Sequence, residues 1–231
     1  MPTYMAPDIY IEEVSGGARP IQAVGTSTAG FVGEAPDPTQ HLNEAIAINN
    51  WSQFTRNFVA EESKSTPLSH AVYGFFQNGG SRCFVVNVGT GGPLAGGGRN
   101  RVGLEVLEQI DEIAIVAAPG YTDPASYEAV LAHCEKLQDR VGILDAPERV
   151  EDITRLTQVA TAKATTGKGK ATSPAGENAG AASGTPGGSP AASGGLRARQ
   201  SDGGYAAYYF PWITVRDPLS PADLVNIAPS G

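Results

Sequence analysis

Short apolar runs alternate with helical patterns along most of this chain, and that alternation restricts the fold more than any other feature. Glu44–Ile48, Cys83–Val88, Glu112–Ala118 and Val141–Leu144 each have the length and β-branched content of a buried strand. An earlier apolar stretch, Pro20–Val32, reads as another strand whose small residues permit close packing. Between these runs lie amphipathic patterns with start and stop signals. Asn49 or Asn50 can cap a helix carrying Trp51, Phe54 and Phe58, and Thr66 with Pro67 opens one carrying Leu68, Ala71, Val72, Phe75 and Phe76. Asn78, Gly79 and Gly80 stop it. Asp123 with Pro124 opens the longest, which sets Tyr127, Val130, Leu131, Cys134, Leu137 and Val141 on one face and Glu128, His133, Glu135, Lys136, Asp139 and Arg140 on a solvated back. Shorter helices are expected over Val102–Gln109 and Arg149–Ala160. Strand and helix in strict turn predict an α/β fold, a mainly parallel sheet flanked by helices.

Two stretches fall outside that pattern. Residues 161–204 are dominated by Ala, Gly, Ser, Thr and Pro, with Leu196 as the sole large aliphatic. A tract so poor in burial surface cannot offset the entropy of ordering, and it is expected to be a disordered surface insertion. The other is the N-terminus. Asp8–Val14 alternates like a strand, with Ile9, Ile11 and Glu13 on one side and Tyr10, Glu12 and Val14 on the other, yet has no local hairpin partner. It is either an edge strand of the chain's own sheet or an arm that adds a strand to another subunit, and Gly16–Gly17 after it forms a hinge. The domain reading is accordingly an arm over 1–19, an α/β domain over 20–160, the insertion over 161–204, and over 205–231 a last strand with a linker. The run YAAYYFPWITVRDPL from Tyr205 is expected to be buried on both faces, with Pro211 at a bulge or strand edge.

The search for chemistry ends in exclusions. Ser27 sits two residues after Gly25, as in a nucleophile elbow, but Ala29 replaces the second glycine and no helix follows. Gly89–Asn100 follows a strand, but it has no Gly-Lys-Ser/Thr ending, Leu94 stands where a third glycine is required, and no helix N-terminus adjoins it to hold phosphate. Asp145 occupies a strand end where such sheets place ligands, yet with no partner in view it reads as a turn or capping residue. His70 reads as solvated or capping, and Cys83 and Cys134 as buried free thiols. No catalytic, cofactor-binding or metal residue is assigned, and no cofactor is expected. An excess of acids, 24 against 16 bases, argues against a nucleic-acid partner. The longest strongly apolar run, Ile113–Ala118, is too short for direct insertion in a membrane.

Four segments in order, APDIYIEEVSGGARPIQAVGTSTAGFVG from Ala6, EIAIVAAPG from Glu112, VGILDAPE from Val141 and YAAYYFPWITVRDP from Tyr205, resemble the sheath subunit of contractile phage tails and related injection systems. Asp8 departs from the glycine usual there. The resemblance implies a non-enzymatic subunit that polymerises with itself in stacked helical rings around an inner tube protein, between baseplate and terminal cap proteins. Such a subunit is assembled in the bacterial cytoplasm into a phage tail or tail-like particle. Ile9, Tyr10, Ile11, Glu12, Glu13 and Val14 would be the exchanged strand, with Gly16 and Gly17 its hinge. Sheath subunits also carry a C-terminal domain beyond the Pro229-Ser230-Gly231 turn, so the resemblance implies that this chain lacks it. The competing expectation is a small cytoplasmic α/β enzyme, a hydrolase or nucleotide-binding protein.

Overall fold

A computed structural model describes residues 27–96, 98–160, 194–201 and 203–231. The expected arm Ile9–Val14 and the hinge Gly16–Gly17 lie outside the described residues, as does the expected insertion as far as residue 193. Six strands form one sheet in the order β2-β3-β1-β4-β5-β6: β1 Ala29–Gly33, β2 Ala45–Ile48, β3 Cys83–Asn87, β4 Ile115–Ala117, β5 Val141–Asp145 and β6 Ala206–Tyr209. Only β2 runs antiparallel to its neighbour; every other pairing is parallel. The central strands β1 and β3 are buried along their whole length, as a parallel sheet covered on both faces requires.

The three α-helices among the described residues begin where local chemistry places them. Asn50 accepts from Gln53 N at the start of α1, Trp51–Phe58. Thr66 and Ser69 close a reciprocal capping box on α2, Pro67–Gln77, and Asp123 accepts from Ala125 N and Ser126 N on α3, Pro124–Leu137. Satisfying these otherwise orphaned N–H groups stabilises each start by about 1 kcal/mol.

Parallel crossovers keep one hand. The step from β1 to β3 moves one way along the sheet and carries α1 and α2 on one face, where Phe54, Phe58, Leu68 and Val72 cover Phe31 and Val85. The steps from β3 to β4, β4 to β5 and β5 to β6 move the other way, so their connections lie on the opposite face. That face holds the second core, built from Leu104 and Leu107, from Tyr127, Val130 and Leu131 of α3, and from Ala198. Gly30 is at the closest approach: a Cβ there would lie 2.8 Å from Leu107 Cδ1 and 3.3 Å from Ile113 Cδ1.

Several expectations change. Gly103–Gln109 is a 3-10 helix, as is the much shorter Ile153–Thr157 in place of the helix expected over Arg149–Ala160. The backbone there turns away to pair instead: Ala160 N donates to Arg197 O and Arg197 N to Gln158 O. The stretch from Tyr205 is not buried on both faces. β6 is the edge strand, its Tyr209 is 48% exposed, and after Phe210 the chain leaves the sheet to form a separate antiparallel hairpin, β7 Ile213–Arg216 with β8 Leu224–Ile227. Ser27 is not inside a strand either; it lies in an exposed turn before β1.

Candidate functional site

The residues with chemical potential are dispersed: Ser27 is exposed, while His70, Cys83, Cys134 and Asp145 are buried in different places. Among the described residues no hydrogen bond links Ser27, His70, Cys83, Cys134 or Asp145 to one another, and no group of three or more His, Cys, Asp and Glu could hold a metal ion. Both thiols are free and buried, and loss of water pushes each up to about 12, which keeps them protonated and inert. The loop after β3 leads only into the 3-10 helix that starts at Gly103, so it lacks the helix dipole and row of N–H donors of a phosphate site.

Asp145 does have partners, from parts of the chain far away in sequence. Its carboxylate accepts from Ser230 N at 2.8 Å, Ser230 Oγ at 2.7 Å and Gly120 N at 3.3 Å. Burial raises its pKa, and the hydrogen bonds from Ser230 partly counter that rise. The residue therefore latches the segment after β8 onto the end of β5. Next to it, Tyr127 OH donates to Asp145 O and Trp212 Nε1 to Ala146 O, both at 2.7 Å. Ser65 Oγ donates to Asp217 Oδ2 at 2.6 Å and ties the hairpin to the start of α2. None of these pairings is visible from sequence spacing, because each joins residues brought together by the sheet.

Two histidines and an arginine are buried where the sequence pattern predicts solvent. His70 is buried between α2 and the hairpin, with both ring nitrogens unpartnered among the described residues; burial lowers its pKa although Asp217 opposes the shift. His133, expected on the solvated back of α3, is 6% exposed, and Arg140 is buried as well. The cause is the 3-10 helix at 103–109, which packs on that flank. Arg140 donates from Nη1 to Leu107 O at 3.0 Å and from Nη2 to Ile110 O at 3.1 Å, and also pairs with Asp139.

The described residues on either side of 161–193 meet at one place. Leu196 N donates to Arg155 O, Arg155 Nη2 to Gly194 O, and Val159 bridges Arg197 in parallel. Arg199 then grips α3 through both carboxylate oxygens of Glu128 and of Glu135, at 2.7 to 3.0 Å. The segments ending at Ala160 and starting at Gly194 are thus held together on the α3 face.

No family model matches the chain, and no curated protein does. Among solved structures, the helical sheath of the anti-feeding prophage in its contracted state matches over 99% of this chain with 19% identity and a TM-score of 0.52. This chain covers 50% of that one, about half its length. The baseplate of the same particle, also contracted, matches 67% of this chain and 43% of its own, with 19% identity and a TM-score of 0.45. The fold is thus shared with half of a contractile-sheath chain.

Proposed function

We propose that this protein is a structural subunit of a contractile sheath, which polymerises helically around an inner tube and shortens to drive that tube through a target envelope. The observation that carries the reading is the fold match to the anti-feeding prophage sheath along 99% of the chain. Among the described residues no feature favours the hydrolase or nucleotide-binding alternative.

The physical requirements of such a role match the sequence features left unassigned. A helical array grows without limit only through heterologous contacts, so each subunit must offer its neighbours two different surfaces. Neighbours that slide without separating need tethers. Ile9–Val14 supplies one as a donated strand, with a few backbone hydrogen bonds worth about 1 kcal/mol each and multiplied by attachment to both subunits. Gly16 and Gly17 let the strand swing as the lattice changes. The partners on this reading are the subunit itself, the tube protein, the baseplate and the terminal cap, in a particle assembled in the bacterial cytoplasm. Such a subunit also carries the C-terminal domain that would receive neighbours' arms.

Co-expression of the full-length subunit with its tube partner, viewed by electron microscopy, tests this. Striated cylinders are expected, and a subunit lacking Met1–Ser15 should stay folded but unpolymerised. Dispersed protein from the intact pair would overturn the proposal, whereas polymers from the deletion would overturn only the role of the arm.

A further inference from the structure

The β7–β8 hairpin is held to the rest of the domain by side chains rather than by a ladder. Among the described residues no strand of the six-stranded sheet pairs with it. Its own strands pair from Ile213 with Ile227 to Arg216 with Leu224, and its turn closes through Asp217 N to Asp223 O and Asp223 N to Ser220 O. Bonded internally in this way, the hairpin can move as one body. Its ties to the domain are Ser65 Oγ to Asp217 Oδ2 and Asn226 Nδ2 to Glu148 Oε1, both at 2.6 Å, with Trp212 on Ala146 O and Ser230 on Asp145 at the two ends. Gly231 sits tightly on α2, where a Cβ on Gly74 would lie 2.5 Å from Gly231 C. Beside that contact the fit is loose: a cavity of about 320 Å³ separates the hairpin from α2, and His70, Tyr73, Gln77, Ile213, Val215 and Ile227 line it.

His70 is the polar group for which this seat provides nothing. The ring is 8% exposed, and neither nitrogen has a partner among the described residues. A neutral imidazole is tolerated there, but the protonated form brings a charge and two donors to a place with no acceptor for them. The ionisable groups around it are Tyr73 of α2, Arg216 of β7, which donates to Pro221 O, and Asp217 just beyond β7. Asp217 attracts the proton, yet its carboxylate already accepts from Ser65 Oγ and Leu219 N and makes no hydrogen bond to the ring. Loss of water outweighs that attraction, so His70 is less basic in the seat than in solution. We propose that the seat of the β7–β8 hairpin on α2 is an acid-released latch, in which protonation of His70 favours a state with the hairpin lifted and the imidazole in water. The lifted state takes up the proton first, so its fraction rises as the pH falls through 6.5 and gains up to about tenfold by one unit lower. Asp145, whose burial favours its protonated form in the folded chain, opposes release on acidification and is not its source. The latch does not depend on the sheath reading.

Hydrogen exchange in the full chain, read at single amides by NMR and corrected for the chemical dependence of exchange on pH, tests the latch. Between pH 7.5 and pH 5.5 the protection of the Ser230 amide, which donates to Asp145, should fall several-fold relative to that of Val32 and Val85 in the central strands, which report any loss of global stability. In His70→Leu and in His70→Gln that ratio should stay level. A ratio that does not change in the parent, or that falls equally in both variants, overturns the proposal. If neither variant folds, titration of the His70 ring protons in the unaltered chain decides. A midpoint below 6.5 supports the latch, and a midpoint at or above 6.5, the mark of a ring already solvated or paired with Asp217, overturns it.

Discussion

His133 should make the domain lose stability on mild acidification, and removing it should abolish that loss. The ring is 6% exposed on α3, its Nε2 has no partner among the described residues, and it lies among Arg140, Glu108, Asp139 and Lys136. Burial, followed by the Arg140 charge, brings its pKa from 6.5 to about 4, against weaker opposition from Glu108 and Asp139. A base with a depressed folded pKa is stabilising only while neutral. Its contribution is complete above 6.5 and is lost as the pH falls toward 4, because the unfolded chain takes up the proton first. Each unit is worth about 1.4 kcal/mol, so the loss across that window is about 3 kcal/mol. Urea titrations at intervals from pH 7.5 to pH 4 would compare the parent with His133→Leu, which leaves no partner orphaned. The difference in unfolding free energy between the two should swing by about 3 kcal/mol in favour of the variant on acidification, with carboxylates common to both cancelling. Parallel curves would show that His133 is solvated or paired in the folded protein, and would refute this account of how α3 meets the 3-10 helix.

Other expectations follow from single contacts. Asp145→Ala leaves Ser230 N, Ser230 Oγ and Gly120 N without their acceptor and should cost about 3 kcal/mol, or roughly 10 °C in Tm, measured by calorimetry. Because burial raises the pKa of this carboxyl, its protonated form is favoured on folding; its contribution is greatest below the ordinary carboxylate range and declines as pH rises, opposite in sign to His133. Gly30→Val forces a methyl group onto Leu107 and should destabilise by about 2 kcal/mol, with Leu107→Ala in the same chain relieving part of the clash in thermal melts. Gly16→Pro with Gly17→Pro should block sheath assembly or contraction, and normal contractile particles from that variant would sink the hinge.

What could be read from sequence was what short-range chemistry determines. Asn50, Thr66 with Pro67, and Asp123 with Pro124 mark helix starts because a cap needs only residues two or three positions away. The apolar runs found the strands of the large sheet for the same reason, and the burial of Cys83 and Cys134 followed from the runs they occupy. Arg140 and His133 defied the periodicity of α3 because the 3-10 helix at 103–109 covers a flank that a helix on a sheet normally turns to water. The expected helix at 149–160 gave way to pairing with residues 196–197, across a long low-complexity tract, and local propensity carries no information about that partner. The β7–β8 hairpin was hidden because Pro218 and Pro221 between its strands read as a linker. Asp145 was seen to sit at a strand end, but its actual partner, Ser230, becomes visible only when the sheet sets the two side by side.

The central claim is that this chain is a sheath component, and the most direct measurement is to isolate contractile particles from cells that encode it and quantify their proteins by mass spectrometry. Peptides of this chain should be among the abundant components of the sheath-bearing fraction. If instead the particles form without it and the protein stays in the soluble fraction, the shared fold serves another purpose and the sheath reading is contradicted.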